Sequence, residues 1–131
     1  MRSVSARAIP WLADTRTLYY WRTALERAGL DETTAFSTCT TIEESIAALA
    51  ASGQPAIVGP TRRTSRNLVH NLAGWMWSQG AEIWCESTKR VTLDEPIALS
   101  AIRSFVTLYR SLANSELANL NDTESDEAFV A

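Results

Sequence analysis

The chain has 131 residues, of which 46% are hydrophobic and 21% are charged, and its formal net charge is −3 at pH 7. This length fits one domain that can bury a substantial core. The acidic balance argues against a nucleic-acid or anionic-membrane binder, because such proteins are usually basic. No apolar run approaches the ~20 residues that a membrane-spanning helix needs.

The amino-terminal sequence, MRSVSARAIPW, lacks the apolar core of a secretory signal peptide. Taken alone, this start favours a cytoplasmic protein. It fits equally well a chain whose natural start lies further upstream. We expect residues 1–7 to form a disordered or vector-like start.

The first part of the chain is predicted to pass from an extended segment into two helices. Residues 8–19 read as extended, and a short helix follows over residues 19–28 and ends at a glycine. Thr40 and Thr41 are each followed three residues later by a glutamate, which is the pattern of a capping box. A second helix should therefore begin there and run to about Ala51.

The middle of the chain is predicted to contain a strand, a helix and a hairpin of two strands. Residues 55–59 read as a short buried strand, and a helix should follow over residues 65–79. Residues 81–85 and 90–93 then read as a hairpin with a polar turn. The expected inward-facing side chains of the helix are Val69, Leu72, Ala73 and Met76.

The last part of the chain carries the clearest helix pattern. Asp94 is its predicted N-cap, and Pro96 falls in its first turn, where a missing amide hydrogen costs little. A final helix should begin at Ser125, only about one turn before the sequence ends. We therefore expect this chain to be part of a longer protein. The apolar stripe of the clearest helix comprises Ile97, Ala101, Ile102, Phe105, Leu108, Tyr109 and Leu112.

Five segments of the chain, in the same order and with the same spacing as in the family, resemble family 1 extracellular solute-binding proteins. These proteins are the sugar receptors of bacterial ABC importers. The segments are IPWLADTRTLYYW with ALERAGLD, TTIEESIAALAASG, PTRRTSRNLVHNLAGWMWSQGAE, a strand pair leading to DEPIALSAIRSFVTLYRSLA, and SDEAFVA. The similarity extends over residues 8–131. Two departures concern turns: Gly80 and Ala81 replace a frequent glycine pair, and residues 36–40 replace a Pro-x-Thr-Trp motif.

The resemblance implies an α/β fold, in which residues 8–131 form a helix-dominated partial second lobe of a periplasmic-binding-protein-like (type II) fold with a few short strands. It also implies about a third of a receptor that closes two lobes on a mono- or oligosaccharide and docks to an ABC permease. Such a receptor would lie outside the cell, in the periplasm or anchored to the membrane. It would use no cofactor, bind no metal or nucleic acid, and catalyse no reaction.

An isolated partial lobe has two expected consequences. It should bind sugar weakly or not at all, because half of the cleft is missing. Its unpaired sheet edges and apolar helix faces should also favour a dimer or a higher homo-oligomer.

Trp11, Asp14 and Arg16 are the first candidate ligand-binding residues. Sugars are bound by aromatic faces and by planar polar groups that match pairs of hydroxyls. Aspartate accepts from two hydroxyls, and arginine donates as a fork. Asp14 and Arg16 share a face if the segment is a strand, and the family places a sugar-binding acidic residue where Asp14 stands. The alternative is a surface Asp–Arg pair beside a packed tryptophan.

The predicted third helix supplies the other candidates, His70, Asn71, Trp75 and Trp77. His70 aligns approximately with a position where family members place an aromatic ring over the sugar. The alternative for His70 and Asn71 is a polar pair without a ligand. Trp75 and Trp77 point to different sides of the helix, so one should lie in the core. Trp77 shares its side with His70 and Gly74, but the sequence leaves open which tryptophan meets a ligand.

The remaining charged clusters have simpler interpretations. Arg62, Arg63 and Arg66 are expected in a solvated turn and helix start rather than in a phosphate site. Asp94, Glu95 and the acidic residues of the segment 122–127 are interpreted as favourable charges at helix N-termini rather than as catalytic carboxylates.

The two cysteines, Cys39 and Cys85, lack the short spacing of metal-binding pairs. We expect two separate, buried or half-buried thiols. The alternative is a disulfide between them, if the protein resides in an oxidising compartment. Neither thiol is expected at a helix N-terminus. This argues against the alternative that the chain is a small hydrolase with a cysteine nucleophile. A stand-alone helical regulatory or interaction module is the other alternative.

Overall fold

The computed structural model describes residues 15–53, 56–110 and 116–131. About half of these residues are helical, which confirms a helix-dominated domain with little sheet. Residues 1–7 and most of the predicted amino-terminal extended segment lie outside the described residues. The elements are α1 (Arg22–Arg27), α2 (Cys39–Ala51), α3 (Arg66–Ser78), β1 (Trp84–Cys85), β2 (Arg90–Val91), α4 (Pro96–Arg110) and α5 (Asp122–Val130).

The core lies where α3 packs against α4. Met76 of α3 is only 1% exposed and forms a buried cluster with Ala81, Ala98 and Ala101. The small alanine side chains of α4 let the two helices approach closely around the longer methionine. Gly80, with a φ of 78°, then turns the chain out of α3.

The inward faces of α3 and α4 differ in part from the prediction. Val69 and Ile97 were expected inside but are 64% and 45% exposed. Ala98 replaces Ile97 at the contact, because the close approach to Met76 leaves room only for a small side chain there.

Within the described ranges, no helix is both long and apolar enough to cross a bilayer.

The start of α2 was predicted two residues too late. Thr38 is the N-cap: its side chain accepts from the amide of Thr41, and the Thr41 hydroxyl accepts from the amide of Thr38 at 2.9 Å. The threonine at the third helical position therefore closes the capping box without a glutamate. Glu43 instead accepts a hydrogen bond from Ser104 of α4 and links the two helices.

Helix α1 is shorter than predicted because the residues before it contact α5. The Trp21 ring stacks on Phe129 with centroids 5.6 Å apart, and its Nε1 donates to the Phe129 carbonyl oxygen at 2.8 Å. Trp21 keeps an extended backbone (φ −88°, ψ 118°), so the helix begins only at Arg22.

Helix α5 begins at Asp122, three residues before the predicted start. Asn121 is its N-cap and forms a capping box with Glu124. The prediction for α4 was closer, since Pro96 is its first residue. However, the carbonyl of Glu95 accepts the first helical hydrogen bond from Leu99, so Glu95 rather than Asp94 holds the cap position.

The predicted hairpin is confirmed, and the predicted strand at residues 55–59 is wrong. Strands β1 and β2 pair antiparallel, with Trp84 opposite Val91. The described residues 56–60 form no strand. Gly59 is instead buried against α4, where a Cβ atom would lie 3.0 Å from the Tyr109 hydroxyl. This segment therefore packs against helix α4 at Gly59, and it needs no neighbouring strand to cover it.

Candidate functional site

An open polar cleft of about 440 Å³ lies between the first turns of α3 and α5. Arg66, Asn67 and His70 line it from α3, and Asn121 and Asp122 line it from the start of α5. The turn that precedes α3 supplies the remaining wall. Every lining residue is polar or charged, which suits a hydrated ligand rich in hydroxyl groups or charge.

Arg62 fixes one wall of the cleft to α5. Its Nη2 donates to both carboxylate oxygens of Glu124, at 2.7 and 3.0 Å, and its Nε donates to the Asn119 carbonyl oxygen at 3.2 Å. The backbone amides of Thr61 and Arg62 both donate to the Leu120 carbonyl oxygen. Arg62 therefore lies in the turn before α3, as expected, but its side chain is anchored to α5 and only 35% exposed.

The Glu124 carboxylate serves the helix cap and the ion pair together. The hydrogen bond from the Asn121 amide, at 2.8 Å, and the adjacent Arg62 guanidinium lower the pKa of Glu124. Asp122 accepts from the Ser65 hydroxyl at 3.2 Å. Asp122 and Glu124 lie in the first turn of α5, which confirms their interpretation as charges at a helix N-terminus.

Arg16, Asn67 and His70 meet at the edge of the cleft. Arg16 Nη2 donates to Asn67 Oδ1 at 3.2 Å and lies 3.1 Å from His70 Nδ1. A guanidinium can only donate, so His70 Nδ1 accepts and the ring proton resides on Nε2. Arg16 and His70 are exposed and Asn67 is half-buried, and Arg16 lies 51 and 54 residues before Asn67 and His70 in the chain. They can therefore donate and accept hydrogen bonds to a ligand in the cleft.

The candidates Trp11 and Asp14 lie outside the described residues. Asn71 faces away from the cleft: it is half-buried, and its side chain hydrogen-bonds the Tyr109 hydroxyl. Burial raises the pKa of Tyr109, and this hydrogen bond opposes the shift. Asn71, a candidate ligand-binding residue, thus contacts Tyr109 of α4 and does not line the cleft.

The two tryptophans of α3 separate as the helical period requires. Trp75 is half-buried, and its Nε1 donates to Ser104 of α4 at 3.0 Å. Trp77 is 61% exposed and follows His70 and Gly74 along one face of α3. A Cβ atom at Gly74 would have no neighbour within 4 Å, so the surface between them is open. We call Arg66, His70, Gly74 and Trp77 the outer face of α3.

Sequence reasoning missed several residues of the cleft. Asn67 precedes His70 by three positions, and this spacing places both side chains on the same side of a helix. The segment Asn121–Glu124 carries the signature of a capping box, which predicts the true start of α5. The contact of Arg62 with Glu124 leaves no such local signal, because 62 residues separate them.

The two cysteines are free and half-buried, as predicted. Cys39 is the first residue of α2, so the expectation that neither thiol lies at a helix N-terminus is wrong. Hydrogen bonds from Ser87 and Thr88 lower the pKa of Cys85 to about 7.

Among residues 15–53, 56–110 and 116–131, no group of three or more His, Cys, Asp or Glu side chains is placed to hold a metal ion.

No family model matches the chain, and comparisons with curated proteins and with solved structures give no significant match. A functional proposal therefore depends on the geometry of the cleft and on the segment resemblance described above.

Proposed function

We propose that this chain is the carbohydrate-binding part of a solute receptor of an ABC importer, and that its cleft holds a mono- or oligosaccharide. In this proposal the chain is a partial second lobe of a type II periplasmic-binding-protein-like fold. The complete receptor would lie outside the cytoplasm, close on its ligand and dock to a permease. The chain would bind its ligand without catalysing a reaction.

The meeting of Arg16 with Asn67 and His70 carries this proposal. The resemblance to family 1 solute-binding proteins assigns the extended segment and the third helix to the same sugar cleft. These two segments lie 54 residues apart at Arg16 and His70, yet their side chains are in hydrogen-bond contact. This contact supports the proposal because helix periodicity and local propensity alone do not require it.

The chemistry of the three side chains suits sugar hydroxyls. The Arg16 guanidinium offers a planar array of donors, the Asn67 amide both donates and accepts, and His70 presents its Nε2 proton. Planar groups of this kind match neighbouring hydroxyls on a sugar ring. Trp77, exposed on the same helix face, offers an aromatic surface for the ring C–H groups.

Isothermal titration calorimetry of the full chain against neutral and acidic saccharides tests the proposal. We expect weak but saturable binding, since one lobe supplies only part of a cleft. Asn67→Ala and His70→Ala should each weaken it by about fivefold, which corresponds to one lost hydrogen bond of ~1 kcal/mol. Arg63→Gln, a change in the exposed turn outside the cleft lining, is the matched control. Saccharide binding that neither Asn67→Ala nor His70→Ala weakens, or that Arg63→Gln weakens equally, would contradict the proposal.

One observation favours a second candidate, a helical interaction module. Leu99 and Val106 of α4 are 40% and 46% exposed and lie seven residues apart on one side of the helix, while Ile102 between them packs against the core. Apolar side chains in such a row are suited to contact with another protein surface.

A further inference from the structure

The outward side of α4 is partly apolar, and all of its charge is positive. Leu99 and Val106 are 40% and 46% exposed on this side. Arg103 and Arg110 lie on the same side and are exposed, and the helix sequence contains no carboxylate. A helix side that combines exposed aliphatic side chains with positive charge is suited to cover by an acidic protein surface.

The two arginines of this side are available to such a surface. Within residues 15–53, 56–110 and 116–131, the guanidinium groups of Arg103 and Arg110 have no ion pair and no hydrogen bond. An incoming carboxylate can therefore pair with either group without displacing an existing contact.

Helix α5 has the opposite charge and is incompletely packed. Four of its nine residues are acidic, none is basic, and only Ser125 is buried. Asp122 and Glu124 are bonded to Ser65 and Arg62, whereas Asp126 is exposed. Isolated helices of this length are marginal in water, so α5 would be stabilised by a further contact along its exposed side.

The exposed sides of the two helices match in spacing when the helices run antiparallel. Three exposed side chains lie on one side of α5 at intervals of three and four residues, namely Thr123, Asp126 and Val130. Three on α4 follow the same intervals in the opposite chain direction, namely Val106, Arg103 and Leu99. Antiparallel packing would thus set Asp126 opposite Arg103 and Val130 opposite Leu99. Because all six side chains are exposed, this contact is not made within one chain.

We infer that α4 of one copy of this chain binds α5 of a second copy in an antiparallel contact, with Arg103 paired to Asp126. The occupant is a second copy because one chain carries both complementary sides. At a net charge of −3, copies repel one another except where a positive surface meets a negative one. Antiparallel packing also aligns the two helix dipoles favourably. The contact is independent of the proposed carbohydrate function.

Light scattering of the full chain at low salt, over a hundredfold range of concentration, measures this association. The mass should increase with concentration, and less so at high salt. Arg103→Glu and Asp126→Arg should each raise the dissociation constant about tenfold, because each sets like charges against each other. The double variant restores opposite charges and should return close to the original value. Arg63→Glu, the same charge change at an exposed arginine outside the contact, is the matched control.

Three outcomes would overturn the inference, and far-UV circular dichroism of each variant excludes a folding defect as their cause. A monomeric mass at every concentration would refute the contact. Equal association of Arg103→Glu and Arg63→Glu would show that α4 is not at the interface. A double variant that associates no better than either single variant would show that Asp126 is not the partner of Arg103. Saccharide binding, measured separately by calorimetry, is affected by none of these outcomes.

Discussion

Replacing Met76 by alanine should destabilise the protein by about 3 kcal/mol. Met76 is 1% exposed and packs against Ala81, Ala98 and Ala101. Methionine-to-alanine changes in protein cores cost roughly 2–5 kcal/mol, through lost transfer free energy and through the cavity left behind. The three alanine side chains are too short to fill that cavity, so we expect a value well inside this range.

Urea denaturation followed by far-UV circular dichroism measures this effect. The midpoint should fall, whereas the dependence of the unfolding free energy on urea should stay the same, because the surface exposed on unfolding hardly changes. Val69→Ala, on the same helix but at a side chain that is 64% exposed, is the control and should cost less than about 0.5 kcal/mol. A loss below 1 kcal/mol for Met76→Ala, or an equal loss for Val69→Ala, would refute the packing of α3 on α4.

Three further predictions concern charge, thiol chemistry and association. Because the hydrogen bonds at the α5 cap lower the pKa of Glu124, its stabilising effect is present above the usual glutamate pKa of about 4.3 and is lost as the pH falls through its lower folded value. Glu124→Gln should therefore lower the urea midpoint at pH 7 but not in strong acid. The control, Glu127→Gln, should leave the midpoint unchanged at both pH values. Alkylation of Cys85 by iodoacetamide should have its pH midpoint at about 7, and Ser87→Ala should raise it. Light scattering should show a mass that increases with concentration.

Each of these predictions has a contradicting result. Equal midpoints for Glu124→Gln and the unchanged protein at pH 7 would show that the carboxylate does not stabilise the start of α5. A Cys85 alkylation midpoint above pH 8, or no effect of Ser87→Ala, would contradict the hydrogen-bonded thiolate. A monomeric mass across a hundredfold concentration range would refute self-association.

The existence of the longer helices and the start of α3 could be predicted from the sequence, but the start of α2 could not. Helix α3 follows the 3.6-residue period, and the glycine at position 80 marks the turn that follows it. At α2, by contrast, Thr38, Thr40 and Thr41 all have a side chain that can cap a helix. Which of these threonines caps the helix depends on tertiary structure. Glu43 accepts a hydrogen bond from Ser104 of α4, so it does not close a capping box.

The site shows the same division between local pattern and tertiary contact. The resemblance named Arg16 and His70 as candidates for one ligand site, and helical periodicity separated Trp75 from Trp77. Neither could show which tryptophan faces α4, because this depends on the rotation of α3 against Ser104. The ion pair of Arg62 with Glu124 forms only when the chain folds, so it is invisible to any local pattern.

The most direct test of the proposed ligand site is a titration of the full, ¹⁵N-labelled chain with a neutral and, separately, an acidic trisaccharide, maltotriose and trigalacturonate, followed by two-dimensional NMR. Its two α3 tryptophans provide an internal comparison. The account predicts that the indole N–H signal of Trp77 and the backbone amide signals of Asn67 and His70 shift on addition of the saccharide. The indole signal of Trp75, which is bonded to Ser104, should stay in place. Shifts confined to Trp75 or to the β1–β2 hairpin, or the absence of any shift, would contradict a saccharide site on the outer face of α3.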